Sequence, residues 1–268
     1  MTKKLFLAVT LVIAMCAVSL SANAQFGKAL KKASKSVTKA VGDAAGDMAS
    51  DIVADKVSEK IVEFMDENNT IAAEDTDYYK RLANLVEKDY ISVDGLSLNY
   101  KVYENPEVNI LATADGSIRV YTGMMDLLSD DELLAVISTQ IGHIANKDVR
   151  DSLLKVASED NAAKASSAQL EKLLSLSGDK MGTVINELIQ IPYTDDQNKK
   201  ADTFAFDLLS KKGGSTDAII SSLEKFAELE SADQAVSKED EDGELSAAAK
   251  FIGVNSNNSL RASIISSK

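Results

Sequence analysis

Only two prolines, Pro106 and Pro192, interrupt the 268 residues of this chain. Proline breaks helices more strongly than any other residue, so its scarcity leaves long segments free to be helical. Alanine, serine, leucine and lysine are common, whereas aromatic residues make up 5 % of the chain, which favours helices over a large β-sandwich. The length suffices for one large or two small domains. We therefore expect a mostly helical protein.

Residues 1–24 have the pattern of a signal peptide. Two lysines precede an apolar run over 5–20, and the small-residue site Ala22-Asn23-Ala24 follows, which predicts cleavage before Gln25. The run is short for a stable membrane span. Lipid attachment at Cys16 is an alternative, but the better small-residue site lies downstream of it. An exported protein, periplasmic or associated with the envelope, is expected.

One cysteine and one histidine, Cys16 and His143, limit the chemistry of the chain. Cleavage after the leader would remove the cysteine, which excludes disulfides and thiolate metal sites from the mature protein. The further ligands would then be carboxylates and carbonyls, which suit Ca²⁺ or Mg²⁺ better than Zn²⁺. The net charge of −13 argues against nucleic acid as a partner.

Residues 25–66 are expected to form an N-terminal helical arm ahead of a domain over 67–268. Apolar residues recur there at helical spacings of three and four: Phe26, Leu30, Ala33, Val37, Val41, Ala44, Met48 and Ile52. Lysines concentrate in its first half: Lys28, Lys31, Lys32, Lys35 and Lys39. A basic amphipathic stretch can bind a membrane surface or a partner helix. The favoured alternative is a helix that packs on the domain, because the apolar stripe is rich in alanine.

The domain itself combines a few strands with many helices. Strands are predicted at 98–103, 108–114 and 118–121, with a hairpin turn at Asp115-Gly116. Ser129 and Glu132 have the spacing of a capping box, which predicts the start of a helix that runs to about Ala145. Further helices are predicted at 77–89, 151–182 (with a loop near Gly178), 183–191, 195–212 and 217–230.

The segment 130–145 resembles the active-site helix of the HtpX-type zinc metallopeptidases. This family also includes the CAAX prenyl proteases and the LoiP-like and BepA-like envelope proteins. The strings at 99–103 and 115–126 are similar to the strands of LoiP-like members, and Asn198-Lys199-Lys200-Ala201-Asp202 is similar to the E-x-x-A-D helix of the family. The resemblance covers about residues 68–265. It implies an α+β, mostly helical, zincin-like domain with a small antiparallel sheet beside the active-site helix.

The resemblance also identifies the positions of the family's catalytic site. In the family, two histidines four residues apart and a glutamate on a second helix bind zinc, and a glutamate beside the first histidine is the general base. Here Thr139 and Asn198 replace two ligands, Gln140 replaces the general base, and His143 alone is retained. Asp202 would hydrogen-bond the former site or complement the dipole of its helix. The site is predicted to be degenerate.

Loss of the general base alone typically costs about 10²–10⁴ in rate. We therefore expect a catalytically inactive family member without a cofactor, which binds or scaffolds envelope or unfolded polypeptides through the retained substrate groove. One alternative is an active metalloendopeptidase of periplasmic protein quality control, with zinc at an atypical site formed by His143 and Asp195, Asp196 or Asp202. Another is an envelope structural protein that is attached by its basic arm.

Overall fold

The structure, a computed structural model, describes residues 48–87, 89–158, 167–236 and 257–267. The predicted leader, its cleavage site and Cys16 lie outside these residues, as do the lysines of the arm. Those predictions therefore stay predictions.

Strands and helices follow one another in a strand-rich first part and a helical second part. In chain order the elements are α1 (48–68), α2 (Asp77–Val86), β1 (Ser92–Val93), β2 (Leu96–Ser97), β3 (Asn99–Tyr103), β4 (Ile110–Ala112), β5 (Ser117–Tyr121), α3 (Thr122–Leu127), α4 (Asp130–Ala145), α5 (Asp148–Ala157), α6 (Ser167–Leu173), α7 (Asp179–Gln190), α8 (Asp195–Lys212), α9 (Asp217–Val236) and α10 (Asn258–Ser266). The predicted fold class, α+β and mostly helical, is confirmed.

Three of the strands form one mixed sheet in the order β3-β5-β4. β4 and β5 are antiparallel and are joined by a turn in which Gly116 has a φ of +87°, as Asp115-Gly116 predicts. β3 runs parallel to β5, so the prediction of an antiparallel sheet is wrong for this pair. The alternation of residues along a strand shows which face is buried, but it does not show in which direction the neighbouring strand runs.

The sheet separates two hydrophobic cores. Val102, Ile118 and Val120 face the larger core, which they share with α4, α8 and α9. Tyr103 and Tyr121 face the smaller core, which they share with α1 and with α5–α7. Successive side chains of a strand point to opposite faces, so β5 is buried on both sides.

α1 packs on the sheet through one face. Its buried residues are Ala54, Val57, Ile61 and Met65. Met48 and Ile52, the last two residues of the predicted apolar stripe, are 64 % and 53 % exposed, so the stripe does not describe the buried face of this helix. Helical spacing holds on more than one face of an alanine-rich segment, so the spacing alone does not identify the face that packs.

An ion-pair network attaches the end of α1 to the sheet. Asp66 accepts hydrogen bonds from Arg119 Nε (2.8 Å), Lys101 Nζ (2.8 Å) and the Tyr103 hydroxyl (2.6 Å). Burial raises the pKa of Asp66, but the hydrogen bonds from these three residues outweigh it and lower that pKa to about 2. The carboxylate is therefore charged in the folded protein over most of the pH range.

Two long helices, α4 and α8, begin at capping boxes. The Ser129 side chain accepts from the Glu132 N–H while the Glu132 carboxylate accepts from the Ser129 N–H, and Thr194 and Gln197 form the same arrangement. α8 ends at Gly213, which has a φ of +76°. The start of α4 and both ends of α8 agree with the sequence prediction.

Other boundaries differ from the prediction. α2 ends at Val86 rather than 89, and α9 continues to Val236 rather than 230. The β1–β2 hairpin and helix α10 were not predicted. α10 begins with polar residues and has a weak apolar stripe, so little in its sequence distinguishes it from a loop.

α4 and α8 approach each other closely at Gly142. A Cβ atom on this residue would lie 2.7 Å from the carbonyl oxygen of Ala201 and 2.9 Å from its Cα. These distances are too short for any side chain, so glycine is required for this crossing.

Gly142→Ala is therefore expected to lower the free energy of unfolding by roughly 1–3 kcal/mol, because the added methyl group overpacks the crossing. Gly182→Ala in α7 is the control, since a Cβ there meets nothing within 4 Å. Replacing a helical glycine with alanine in open space stabilises by about 1 kcal/mol. Urea denaturation of both variants would show shifts of opposite sign, and equal shifts would contradict the close crossing.

Asp66→Asn is expected to lower the free energy of unfolding by about 3 kcal/mol, because it leaves the Arg119 guanidinium, whose side chain is 3 % exposed, without a counter-charge. Asp89→Asn removes an exposed ion pair with Lys212 and should cost less than about 1 kcal/mol. Thermal unfolding of the two variants tests this difference. Equal melting temperatures would show that the network does not hold α1.

Candidate functional site

α4 places the first three predicted site residues next to one another. Thr139, Gln140 and His143 are all buried, and Thr139 and His143 are four residues apart, on one face of the helix. α8 crosses this helix at Gly142 and carries Asn198 and Asp202, which are also buried. The structure thus brings the five predicted residues to one helix crossing.

His143 is held in one orientation by its neighbours. Its Nδ1 lies 2.8 Å from Asp148 Oδ2, and its ring stacks on Tyr193 with the ring centroids 3.8 Å apart. A carboxylate can only accept hydrogen bonds, so Nδ1 carries the proton and Nε2 carries a lone pair. Among the described residues, Nε2 has no hydrogen-bond partner, although the side chain is only 1 % exposed.

Asp202 is held by an arginine from the last helix. Arg261 Nε and Nη2 donate to its two carboxylate oxygens, both at 2.8 Å. The Thr139 hydroxyl donates to Asp202 Oδ1 at 3.5 Å, a long hydrogen bond. The helix dipole acts mainly on the first turn of α8, and Asp202 lies beyond that turn. Its contacts are therefore with the site rather than with the helix terminus.

The other acidic residues of α8 lie at its start. Asp195 accepts a hydrogen bond from Asn257 Nδ2 at 3.0 Å, and Asp196 lies 3.1 Å from Lys200 Nζ on the surface. Both carboxylates are in the first turn, where they complement the helix dipole. In the described ranges no group of three histidine, cysteine or acidic residues is arranged to hold a metal ion.

Asn198, at the third ligand position, is fixed through its amide nitrogen. Nδ2 lies 3.4 Å from the carbonyl oxygen of Tyr193, to which it donates a hydrogen bond. The amide oxygen is buried and has no partner in the described part of the chain.

The side chains at these positions do not fit zinc. Zn²⁺ is bound in proteins by histidine, cysteine and carboxylate groups. The positions supply one imidazole nitrogen from His143, while Thr139 and Asn198 supply neutral oxygens, and Arg261 already pairs with both oxygens of Asp202. Zinc, the metal that the family resemblance implies, would therefore find only one strong ligand at these positions.

An apolar groove, which we call the edge groove, runs from β4 to this site. The groove is shallow, with a cavity volume of about 60 Å³, and β4 forms one wall. Its other main wall is formed by α7 and the segment after it: Ile185, Leu188, Ile189, Ile191 and Tyr193. Gln140 also lines the groove, so the groove reaches the position at which the family has its general base.

A second pocket, which we call the polar pocket, lies on another side of Gln140 and is bounded by α4, α9 and α10. Its volume is about 20 Å³, room for about one water molecule, and it is lined by residues that include Thr139, Gln140, His143, Asn258 and Arg261. Gln140 lines both cavities.

Four residues of the site have no role assigned from the sequence: Arg261, which holds Asp202, and Asp148, Tyr193 and Asn258. Asp148 orients His143, Tyr193 stacks on it, and the Asn258 amide oxygen accepts a hydrogen bond from Arg261 Nη1 at 3.2 Å. An acidic residue five positions after the histidine, at the start of the next helix, is the one signal by which Asp148 could have been found. Tyr193 and Asn258 reach the site only through tertiary packing.

Burial lowers the pKa of His143 below 6.5, and the hydrogen bond to Asp148 offsets only part of this effect. The unfolded chain therefore binds a proton at a higher pH than the folded protein does. Stability is expected to be complete above about pH 6.5 and to fall below it, by at most about 1.4 kcal/mol per pH unit.

Urea denaturation across this pH range measures the loss. His143→Gln is the control, because the chain has no other histidine, and the pH dependence just below 6.5 should be weaker in the variant. The same pH dependence in both proteins would contradict the burial of a neutral imidazole.

Comparison with known proteins agrees with this architecture. The model of peptidase family M48 matches residues 79–252. Two proteins of Escherichia coli (strain K12) are similar: metalloprotease YcaL, 35 % identical over 170 residues, and metalloprotease LoiP, 36 % identical over 167 residues. Both alignments cover 62 % of this chain, and they cover 65 % and 66 % of the relatives, just under two thirds of their lengths. The chain belongs to peptidase family M48.

Proposed function

We propose that this chain is a family M48 protein that binds extended polypeptide segments in the edge groove without hydrolysing them. The observation that carries the proposal is that Gln140, a residue that cannot take up a proton near neutral pH, lines this groove at the position of the family's general base.

β4 supports the binding of an extended peptide. It is an edge strand, and no described strand lies on its outer side. On its inner side, the carbonyl oxygen of Asn109 accepts a hydrogen bond from the N–H of Tyr121 at 3.1 Å. The N–H of Thr113 donates to the carbonyl oxygen of Ser117 at 2.9 Å. By alternation, the backbone groups of Ile110 and Ala112 point outward. A peptide can add to such an edge by backbone hydrogen bonds while its side chains enter the apolar groove.

The residues that replace the family's general base and zinc ligands support inactivity. Peptide hydrolysis in a zinc peptidase needs a metal-bound water and a base that removes its proton. The Gln140 carboxamide cannot act as that base, and the groups at the ligand positions do not match zinc. Loss of the base costs about 10²–10⁴ in rate, and loss of the metal removes the activated water in addition.

Binding can be tested with the full chain and fluorescent peptides derived from an unfolded protein such as casein. Ile189→Glu places a charge in the wall of the groove and should weaken binding about tenfold or more, because burial of an isoleucine contributes roughly 1.5–3 kcal/mol. Gln190→Glu puts the same charge on the exposed side of the same helix and should leave the affinity unchanged. Equal affinities of the two variants would argue against the groove.

Mass spectrometry of the same peptides tests inactivity. We expect no cleavage by the unmodified chain, with or without added zinc. The triple variant Thr139→His, Gln140→Glu, Asn198→Glu restores the family's residues and should bind zinc and cleave groove-bound peptides. Metal-dependent cleavage by the unmodified chain that is abolished by His143→Ala would contradict the proposal and establish the active metalloendopeptidase.

We also propose that the protein is exported and acts in the periplasm or at the envelope, which rests on the sequence pattern of residues 1–24. No helix in the part of the chain that the structure describes is long and apolar enough to cross a membrane. Contact of the basic arm with a membrane surface belongs to the same proposal. Met48 and Ile52, which lie in the described part of the predicted arm, are exposed and apolar, and this is compatible with the proposal.

A further inference from the structure

A third cavity, which we call the hairpin pocket, lies where the β1–β2 hairpin meets α1 and the corner between α4 and α5. Its volume is about 240 Å³, and it is open to solvent on one side. An engineered cavity of about 150 Å³ holds a benzene molecule, so the hairpin pocket has room for a small organic group. Its walls are largely apolar: Ala54, Val93, Leu96, Ala114, Ile144 and Val149.

The two cationic side chains in the lining are already engaged by one carboxylate. Lys147 Nζ lies 2.6 Å from Asp51 Oδ2, and Arg150 Nη1 lies 2.8 Å from Asp51 Oδ1. Asp55 lies one turn after Asp51 on α1 and also lines the pocket. Its half-buried carboxylate forms no hydrogen bond or ion pair with any residue that the structure describes.

The surroundings of Asp55 favour a cation beside it. Partial burial raises the pKa of this carboxyl group, and the carboxylates of Asp51 and Asp115 raise it further. Lys147 lowers it, but this effect is smaller. A positive charge next to the carboxylate offsets both burial and repulsion. A carboxylate that is perturbed in this way within a cleft indicates a binding role.

We propose that the hairpin pocket binds an alkylammonium group. The ammonium nitrogen donates hydrogen bonds to Asp55, and the alkyl chain packs on the apolar walls. A neutral alkyl group would leave the carboxylate unpaired, and a small hydrated cation would gain nothing from the walls. An alkylammonium group ends the side chain of lysine and also occurs in free amines. Asp55 lies outside the edge groove, so this proposal does not rest on the proposed function.

Pentylamine, which is protonated at neutral pH, is a suitable probe. The full chain is labelled with ¹³C at the methyl groups of isoleucine, leucine and valine, so that the signals of Val93, Leu96 and Ile144 report on the walls. Pentylamine should shift these signals in a saturable way, with a millimolar Kd on the order expected for roughly six non-hydrogen atoms. 1-Pentanol has the chain without the charge, and methylamine has the charge without the chain. Each should bind at least about fivefold more weakly.

Asp55→Asn provides the matched variant. It keeps the size of the side chain and removes its charge, so it should weaken pentylamine binding about tenfold, as expected for the loss of a charge-assisted hydrogen bond. The affinity for 1-pentanol should stay the same, which would show that the pocket is intact in the variant. Glu63→Gln removes the same charge from an exposed position two turns further along α1 and should leave both affinities unchanged.

The source of the ammonium group is distinguished by capped peptides that contain either lysine or norleucine at one position. A preference for lysine that Asp55→Asn removes supports a polypeptide side chain, whereas binding of pentylamine without such a preference supports a free amine. Equal affinities for pentylamine and methylamine, or the same pentylamine affinity in Asp55→Asn and Glu63→Gln, would overturn the alkylammonium proposal. Peptide binding in the edge groove is measured with different variants, so the two proposals can fail separately.

Discussion

The close crossing of α4 and α8 at Gly142 is the constraint on which the rest of the site depends. The two backbones are so close at Gly142 that there is no room for a Cβ atom between them. Residues about one turn away on each helix therefore face each other. Thr139, His143, Asn198 and Asp202 all lie within about one turn of that point. The geometry of the site is thus a property of backbone packing, and the chemistry of the four side chains is added to it.

The hydrogen bonds around the crossing show how the chain satisfies its buried polar groups. Arg261 from α10 takes both oxygens of Asp202, and Asp148 takes one nitrogen of His143. These contacts compensate the buried carboxylates, as the cost of an unpaired buried charge requires. They leave neutral groups, His143 Nε2, the Asn198 oxygen and the Asn258 nitrogen, without a partner among the described residues. The first two are acceptors and the third is a donor.

Much of this arrangement follows from local sequence signals. The Ser129–Glu132 capping box and Gly213 define ends of α4 and α8 by interactions within a few residues. The spacing of residues 139, 140 and 143 then places them together, and the resemblance to a known family relates them to Asn198. The parallel pairing of β3 with β5, the stacking of Tyr193 on His143 and the role of Asn258 could not be predicted, because each depends on contacts between segments far apart in sequence. The buried face of α1 was also missed, since an alanine-rich stripe does not identify the side that packs.

The two capping boxes have a consequence for how such a chain changes over evolutionary time. Each fixes the first turn of its helix through residues outside the site, Ser129 with Glu132 and Thr194 with Gln197. The capping boxes fix where α4 and α8 begin, and the crossing at Gly142 fixes how they pack, so the fold does not require a metal ion that links positions 139, 143 and 198. Selection on foldability therefore leaves these positions open to drift, and a lineage can exchange their side chains without passing through an unfolded ancestor.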